Sequence, residues 1–205
     1  VLHGIPIVIK DNIDTADKMM TTAGSLALDG ARAQSDAHLV SRLRDDGAII
    51  LAKTNLSEWA NFRSTKSGTG WSSRGGQVRN AYAIDRTPGG SSSGSAVAVA
   101  RSFCAGAIGT ETDGSIVVPA AMNSLVGIKP TVGMVSRTGV VPISFSQDTA
   151  GPIAKTVTDA STILSVLIGH DPADNSSKDL KQDFSQRFRR GFNRNALKGK
   201  RIGVV

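Results

Sequence analysis

Two serine-bearing turns and one lysine are placed where covalent chemistry could occur. Residues 87–95 read Thr87-Pro88-Gly89-Gly90-Ser91-Ser92-Ser93-Gly94-Ser95, three glycines and four serines directly before a run of alanine and valine. Glycines let the backbone approach another group closely, and the start of a helix supplies unpaired N–H groups with partial positive charge. A flexible linker has a similar composition, but linkers rarely run straight into a tightly patterned apolar helix. The second turn, Thr110-Glu111-Thr112-Asp113-Gly114-Ser115-Ile116, follows a short apolar stretch. It would expose the Ser115 hydroxyl and aim successive backbone N–H groups at one point, as an oxyanion requires. A serine nucleophile needs a base. Lys10 closes the apolar run Ile5-Pro6-Ile7-Val8-Ile9, where burial would lower its pKa and keep part of it neutral. Each residue also has an ordinary reading: Lys10 as a strand-end lysine reaching to water and paired with Asp11, Ser115 as a turn serine.

Other chemistries fit less well. A phosphate-binding loop wants a Lys after its last glycine, and none follows Gly94. Gly90-Ser91-Ser92-Ser93-Gly94 fits the Gly-x-Ser-x-Gly nucleophile elbow with Ser92 at its centre, and Asp148 and His170 follow in the required order. His170, however, lies in a Gly-His-Asp-Pro turn with the composition of a surface loop. Cys104 sits among alanine and valine and reads as a small buried hydrophobe rather than a nucleophile. Met19 and Met20 fall in a Thr/Ala/Asp-rich loop and read as packing or substrate-rim residues. No His/Cys/Asp spacing suggests a metal, and no cofactor is expected.

The elements that must position these groups alternate along the chain. Residues 5–10 and 48–53 read as buried strands, short unbroken apolar runs rich in β-branched residues. Between them, residues 35–47 predict a helix with Ser35 as N-cap, Leu39, Val40 and Leu43 on one face, and Gly47 at its end. A short helix is expected around 56–62, then a long Gly/Ser-rich loop over 64–95. Residues 95–105 predict a close-packed helix of small side chains, 107–112 a strand, and 158–168 an apolar helix opened by Thr158 and stopped at Gly169. Strands alternating with helices argue for an α/β architecture around a largely buried sheet. The chain opens on Val1 inside an apolar run and closes on Ile202-Gly203-Val204-Val205 as if entering a strand, so it reads as the central part of a longer domain.

With 40% hydrophobic and 20% charged residues over 205 positions, collagen-like, disordered and disulfide-scaffold classes are excluded. The net charge of +7 comes wholly from residues 181–201, which hold eight basic residues and one acid, leaving the rest formally neutral. A polyanion partner is therefore not expected for the body of the chain. Phe184, Phe188 and Phe192, at four-residue intervals in that segment, predict an amphipathic surface helix; a contact with RNA or an acidic membrane is its alternative reading. No apolar stretch is long enough to span a bilayer, so no membrane partner is expected. The single Cys cannot form an internal disulfide, which is compatible with a reducing, cytoplasmic compartment.

Several separated blocks, in order, resemble the amidase signature family: Gly4-Ile5-Pro6 to Lys10-Asp11-Asn12, Pro88-Gly89-Gly90-Ser91-Ser92-Ser93-Gly94-Ser95, and Asp113-Gly114-Ser115-Ile116. Ala52-Lys53-Thr54-Asn55-Leu56-Ser57-Glu58-Trp59, Val126-Gly127-Ile128-Lys129-Pro130-Thr131-Val132-Gly133 and Gln147-Asp148-Thr149-Ala150-Gly151-Pro152 extend the likeness to about residue 170. The resemblance implies a mixed β-sheet core flanked by helices on both faces. Residues 1–205 would be part of one such domain: a core to about 170, a polar basic connection over 171–200 and the start of a strand over 201–205. It further implies cofactor-free hydrolysis of a small-molecule or peptide amide by a Ser–Ser–Lys triad. Ser115 matches the nucleophile, Ser91 the bridging serine after a cis peptide bond, and Lys10 the base. The backbone N–H groups of Thr112, Asp113, Gly114 and Ser115 match the oxyanion hole, and none of His3, His38 and His170 is required.

One departure is visible. Many members carry Gly-Gly-Ser-[Ile/Val]-Arg where this chain has Asp113-Gly114-Ser115-Ile116-Val117, so Glu111 must be satisfied without that arginine. Within the family, Gly70-Trp71-Ser72-Ser73-Arg74-Gly75-Gly76-Gln77-Val78-Arg79-Asn80 and the Thr-Glu-Thr-Asp-Gly-Ser run resemble the peptide amidase branch, which removes C-terminal amides from peptides. The alternative is the A subunit of an aminoacyl-tRNA amidotransferase, whose Met-Gly-Ser-Ser-x-Glu-Asn-Ser-like stretch is absent over residues 71–80.

Overall fold

The computed structural model describes residues 1–180, 185, 186, 188, 193 and 195–203. Their strands are β1 (Pro6–Lys10), β2 (Ile49–Thr54), β3 (Trp71–Ser72), β4 (Gly76–Gln77), β5 (Gly106–Glu111), β6 (Val126–Gly127) and β7 (Thr149–Ala154). The helices are α1 (His38–Asp45), α2 (Ser93–Ala100), α3 (Val117–Met122) and α4 (Val157–Leu167). Five strands form one mixed sheet in the order β2-β1-β5-β7-β6, and β3 and β4 form a separate hairpin. β1 runs parallel to both β2 and β5, while β7 is antiparallel to β5 and β6. Every residue of β5 and β7 is buried.

Side chains alternate across a strand, and β1 shows what that does to the core. Ile7 and Ile9 join Leu39, Leu43, Leu164 and Leu167 of α1 and α4. Val8 joins Ala96 and Val99 of α2, with Ile116 and Ala120 around α3. Helices therefore cover both faces of the sheet, as the resemblance implies. The same alternation puts Lys10 on the face of Val8, toward α2.

Several boundaries differ from expectation. Strand β2 lies at the sheet edge with Ile49 and Leu51 each 51% exposed, where the sequence suggested burial. An unbroken apolar run does not tell a central strand from an edge one. Helix α1 begins after Ala37 rather than Ser35, with the His38 N–H bonded to the Thr138 carbonyl instead of a side-chain cap. Helix α2 starts at Ser93 and ends at Ala100, earlier at both ends than predicted. The cap of α4 is Thr156, whose hydroxyl accepts the Asp159 N–H, rather than Thr158. The helix expected at 56–62 is a single tight turn in which Trp59, Ala60 and Asn61 have φ of 51°, 53° and 70°, a left-handed bend that cannot continue as a right-handed helix. The long loop over 64–95 carries the β3–β4 hairpin.

Of the Phe residues predicted to face inward, Phe188 packs against the α1/α4 side of the core, while Phe184 and Phe192 lie outside the described residues. Residues 201–203 are in no strand, and Val204 and Val205 lie outside the described residues.

Helix α2 reaches its position through close backbone contact. The Gly94 N–H donates to the Asn55 carbonyl at 3.0 Å, and a Cβ at Gly94 would stand 2.5 Å from the same oxygen. Gly94→Ala must push α2 away from the end of β2. The expected cost is about 1–3 kcal/mol, read as a lower thermal midpoint of the full-length protein; an unchanged midpoint would contradict this packing.

Candidate active site

Strands β1 and β5 are parallel, so their carboxyl ends meet at one edge of the sheet, where open α/β sheets place their sites. Lys10 is the last residue of β1 and Glu111 the last of β5. The segment entering α2 arrives at the same edge, carrying a cis peptide bond between Gly90 and Ser91. Gly89 has φ of 67°, and a Cβ there would stand 2.7 Å from the Pro119 Cα, so the turn passes too close to α3 for any side chain.

Lys10 is completely buried. Its Nζ donates to Ser91 Oγ at 2.7 Å, to Thr110 Oγ1 at 2.8 Å and to the Thr110 carbonyl at 3.2 Å. Burial drives its pKa down to about 7, against the opposing pull of the Glu111 and Asp148 carboxylates. Asp11, expected as a possible partner, instead pairs with Lys53 at 3.5 Å and accepts the Thr22 hydroxyl. Its carbonyl also takes the N–H groups of Thr22 and Ala23, so it fastens the following loop and leaves the Lys10 amine alone.

Ser115 is buried in the turn between β5 and α3, and its carbonyl accepts the Ser92 N–H at 3.2 Å, which ties the two serine turns together. Ser91 and Ser115 line one cleft of about 410 Å³, shared with Asn61, Phe62, Asp113, Val118 and Met122.

The missing arginine is accounted for within the turn itself. Glu111 accepts the N–H groups of Gly114 at 3.0 Å, Ile116 at 2.7 Å and Val117 at 3.0 Å. Its carboxylate caps the entry to α3, where a negative charge is favoured. Of the four backbone N–H groups matched to an oxyanion hole, that of Gly114 donates to Glu111 Oε1.

The elbow arrangement is not assembled. Ser92 exchanges hydrogen bonds with the backbone of Thr110. Asp148 accepts the Thr112 hydroxyl at 2.6 Å and the N–H groups of Ile143 and Ser144. His170 Nδ1 faces Ser177. Each has its own structural partners, and none of the three is bonded to another. Cys104 is buried, and burial pushes its thiol up to about 11, far from a reactive thiolate. Among the described residues no group of His, Cys, Asp and Glu could hold a metal ion, and no helix is long and apolar enough to cross a membrane.

Two contributors escape the sequence taken alone. Thr110 supplies two of the three contacts to Lys10, and Asn12 Nδ2 donates to Thr110 Oγ1 at 3.0 Å. Asn12 stands two positions beyond Lys10 in the quoted Lys10-Asp11-Asn12 block, so a signal existed. Thr110 opens the quoted Thr-Glu-Thr-Asp-Gly-Ser run, but its contact with Lys10 arises only when β1 and β5 pair.

The family model described as Amidase matches residues 1–205. A probable amidase of Arabidopsis thaliana is 50% identical over 206 residues, covering 100% of this chain and 40% of that protein. The A subunit of the glutamyl-tRNA(Gln) amidotransferase of Halothermothrix orenii is 43% identical over 204 residues, covering 99% of this chain and 40% of that protein. Among solved structures, the native peptide amidase from Stenotrophomonas maltophilia superimposes with a TM-score of 0.86 at 62% identity, over 88% of this chain and 37% of that one. The chain thus spans well under half the length of the relatives it matches.

An amine with a pKa of about 7 can take up a proton only in its neutral form, so a reaction in which Lys10 served as base would accelerate with rising pH through about 7 and level off above it. Asn12→Asp sets a carboxylate beside Thr110 Oγ1, favours the ammonium, and should move that midpoint up by about one unit. The check is the pH dependence of covalent labelling of Ser115 by a serine-directed phosphonofluoridate in the full-length protein. A wild-type midpoint near 10, or the same midpoint in both proteins, would contradict the coupling of this labelling to the Lys10 amine.

Proposed function

Because the chain belongs to the amidase family, we propose that it carries the catalytic core of a hydrolase of carboxamide bonds, with Ser115 as nucleophile, Ser91 as bridge and Lys10 as base. The observation that carries this reading is the Lys10 amine: fully buried, with a pKa lowered to about 7 and a 2.7 Å hydrogen bond to Ser91.

The proton inventory around Lys10 supports the direction of transfer. A neutral amine has two N–H groups and one lone pair. The Thr110 carbonyl can only accept, so it takes one N–H. Thr110 Oγ1 is placed to take the other, leaving the lone pair for the Ser91 hydroxyl. Ser91 then passes its proton to Lys10 while receiving that of Ser115, whose oxygen attacks the amide carbonyl. The developing oxyanion is met by backbone N–H groups of Thr112, Asp113 and Ser115. The proton returns through Ser91 to the leaving nitrogen, and water hydrolyses the acyl-enzyme.

For the substrate we favour the C-terminal carboxamide of a peptide. The support is the 62% identity to a peptide amidase, against 43% to the amidotransferase protein, together with the sequence of residues 71–80. The second reading, a component that works within an amidotransferase complex, keeps the support of that 43% identity over nearly the whole chain.

Ammonia release from peptide amides by the full-length protein tests both. Ser115→Ala and Lys10→Ala should each lower kcat/KM by roughly 10³-fold or more, while His170→Ala stays within about twofold, since its ring is engaged with Ser177. An active Ser115→Ala protein, or a dead His170→Ala protein, would overturn the triad. A wild-type protein that releases ammonia only with partner subunits present would favour the second reading.

A further inference from the structure

The two acids on the turn after β5 have opposite surroundings. Glu111 is buried, and its carboxylate is occupied by three backbone N–H groups. Asp113, two residues on, is exposed and lines the same cleft as Ser91 and Ser115. Its carboxylate makes no hydrogen bond or ion pair with the described residues. Nor does it act on the base, whose electrostatic neighbours are Glu111 and Asp148. The other described residues lining the cleft are glycine, hydroxyl, amide and apolar side chains, among them Asn61, Phe62, Val118 and Met122, so Asp113 is the one with a charge at neutral pH.

A carboxylate without a structural partner, two residues from the nucleophile and between neutral walls, acts on whatever enters the cleft. The described walls offer no opposing charge, so only water and salt screen its field across the cleft. We infer that Asp113 is a charge filter. It favours carboxamides with a positive charge near the scissile bond, such as the amide of a basic residue, and disfavours those with a carboxylate there. It also separates product from substrate. Hydrolysis adds water across the C–N bond of a neutral carboxamide and leaves a carboxylate and ammonia, which takes up a proton in solution, so the acyl product becomes anionic beside a fixed negative charge. This inference rests on the reading above, that Ser115 opens the amide bond in this cleft.

The test uses the full-length protein and three matched peptide amides whose amidated residue is Lys, norleucine or Glu, with the corresponding peptide acids as product inhibitors. The wild type should prefer the Lys amide to the Glu amide. Asp113→Asn should shrink that ratio of kcat/KM by about fivefold, as loss of one partly screened charge interaction implies. It should also tighten inhibition by the peptide acids several-fold, with the pH midpoint of kcat/KM unmoved. Asp113→Glu, which keeps the charge, should restore the ratio, and high salt should erase the preference of the wild type.

An Asp113→Asn protein that keeps the wild-type ratio overturns the filter, as does one whose pH midpoint shifts or one inactive on all three amides. Failure of the underlying reading looks different, because the wild-type protein then releases no ammonia from any of them.

Discussion

Burying a lysine amine costs free energy that only its neutral form escapes, and the rest of the site is arranged around that constraint. Lys10 ends a strand flanked on both sides, by β2 and β5, and none of its surface reaches water. Left to desolvation alone, the amine would hold its proton still more weakly. Glu111 and Asp148 oppose that tendency, and both are themselves engaged, Glu111 by backbone N–H groups and Asp148 by the Thr112 hydroxyl and two more N–H groups. Two carboxylates held by other donors can stabilise a nearby cation without closing on it as an ion pair. The balance sets the amine near neutrality at ordinary pH while leaving its lone pair free to work.

The same acids hold the backbone. Glu111 gathers three N–H groups of the turn that carries Ser115, so the residue that raises the proton affinity of Lys10 also fixes the shape of that turn. Asp148 does likewise for the residues around Ile143 and Ser144. Charge and geometry are thus coupled: a change at either acid would move the proton affinity of Lys10 and the path of a turn together.

Much of this is legible in the sequence. The apolar run ending in Lys10 left two readings, a buried amine or one reaching to water beside Asp11, and the pairing of β1 with both neighbours decides for burial; the glycine-flanked serines implied close backbone approach. The order of elements followed from hydrophobic period and turn residues. What the sequence could not carry were relations across the sheet. Thr110 serves Lys10 only because β1 and β5 lie side by side. The edge position of β2 is a property of sheet order and not of its residues. Helix starts were misplaced by one to three positions, since α1 is capped from the Thr138 carbonyl, a partner about a hundred residues away in the chain.

The edge strand has an implication for handling the protein. One side of β2 bonds to β1, and the other presents a row of backbone donors and acceptors with Ile49 and Leu51 half exposed beside it. Such a border is a template for a further strand from any source. A polypeptide of these 205 residues by itself would tend to find that strand in its own copies. Its solubility would then be governed by self-pairing along β2, at a distance from the serines and lysine that give the sequence its interest.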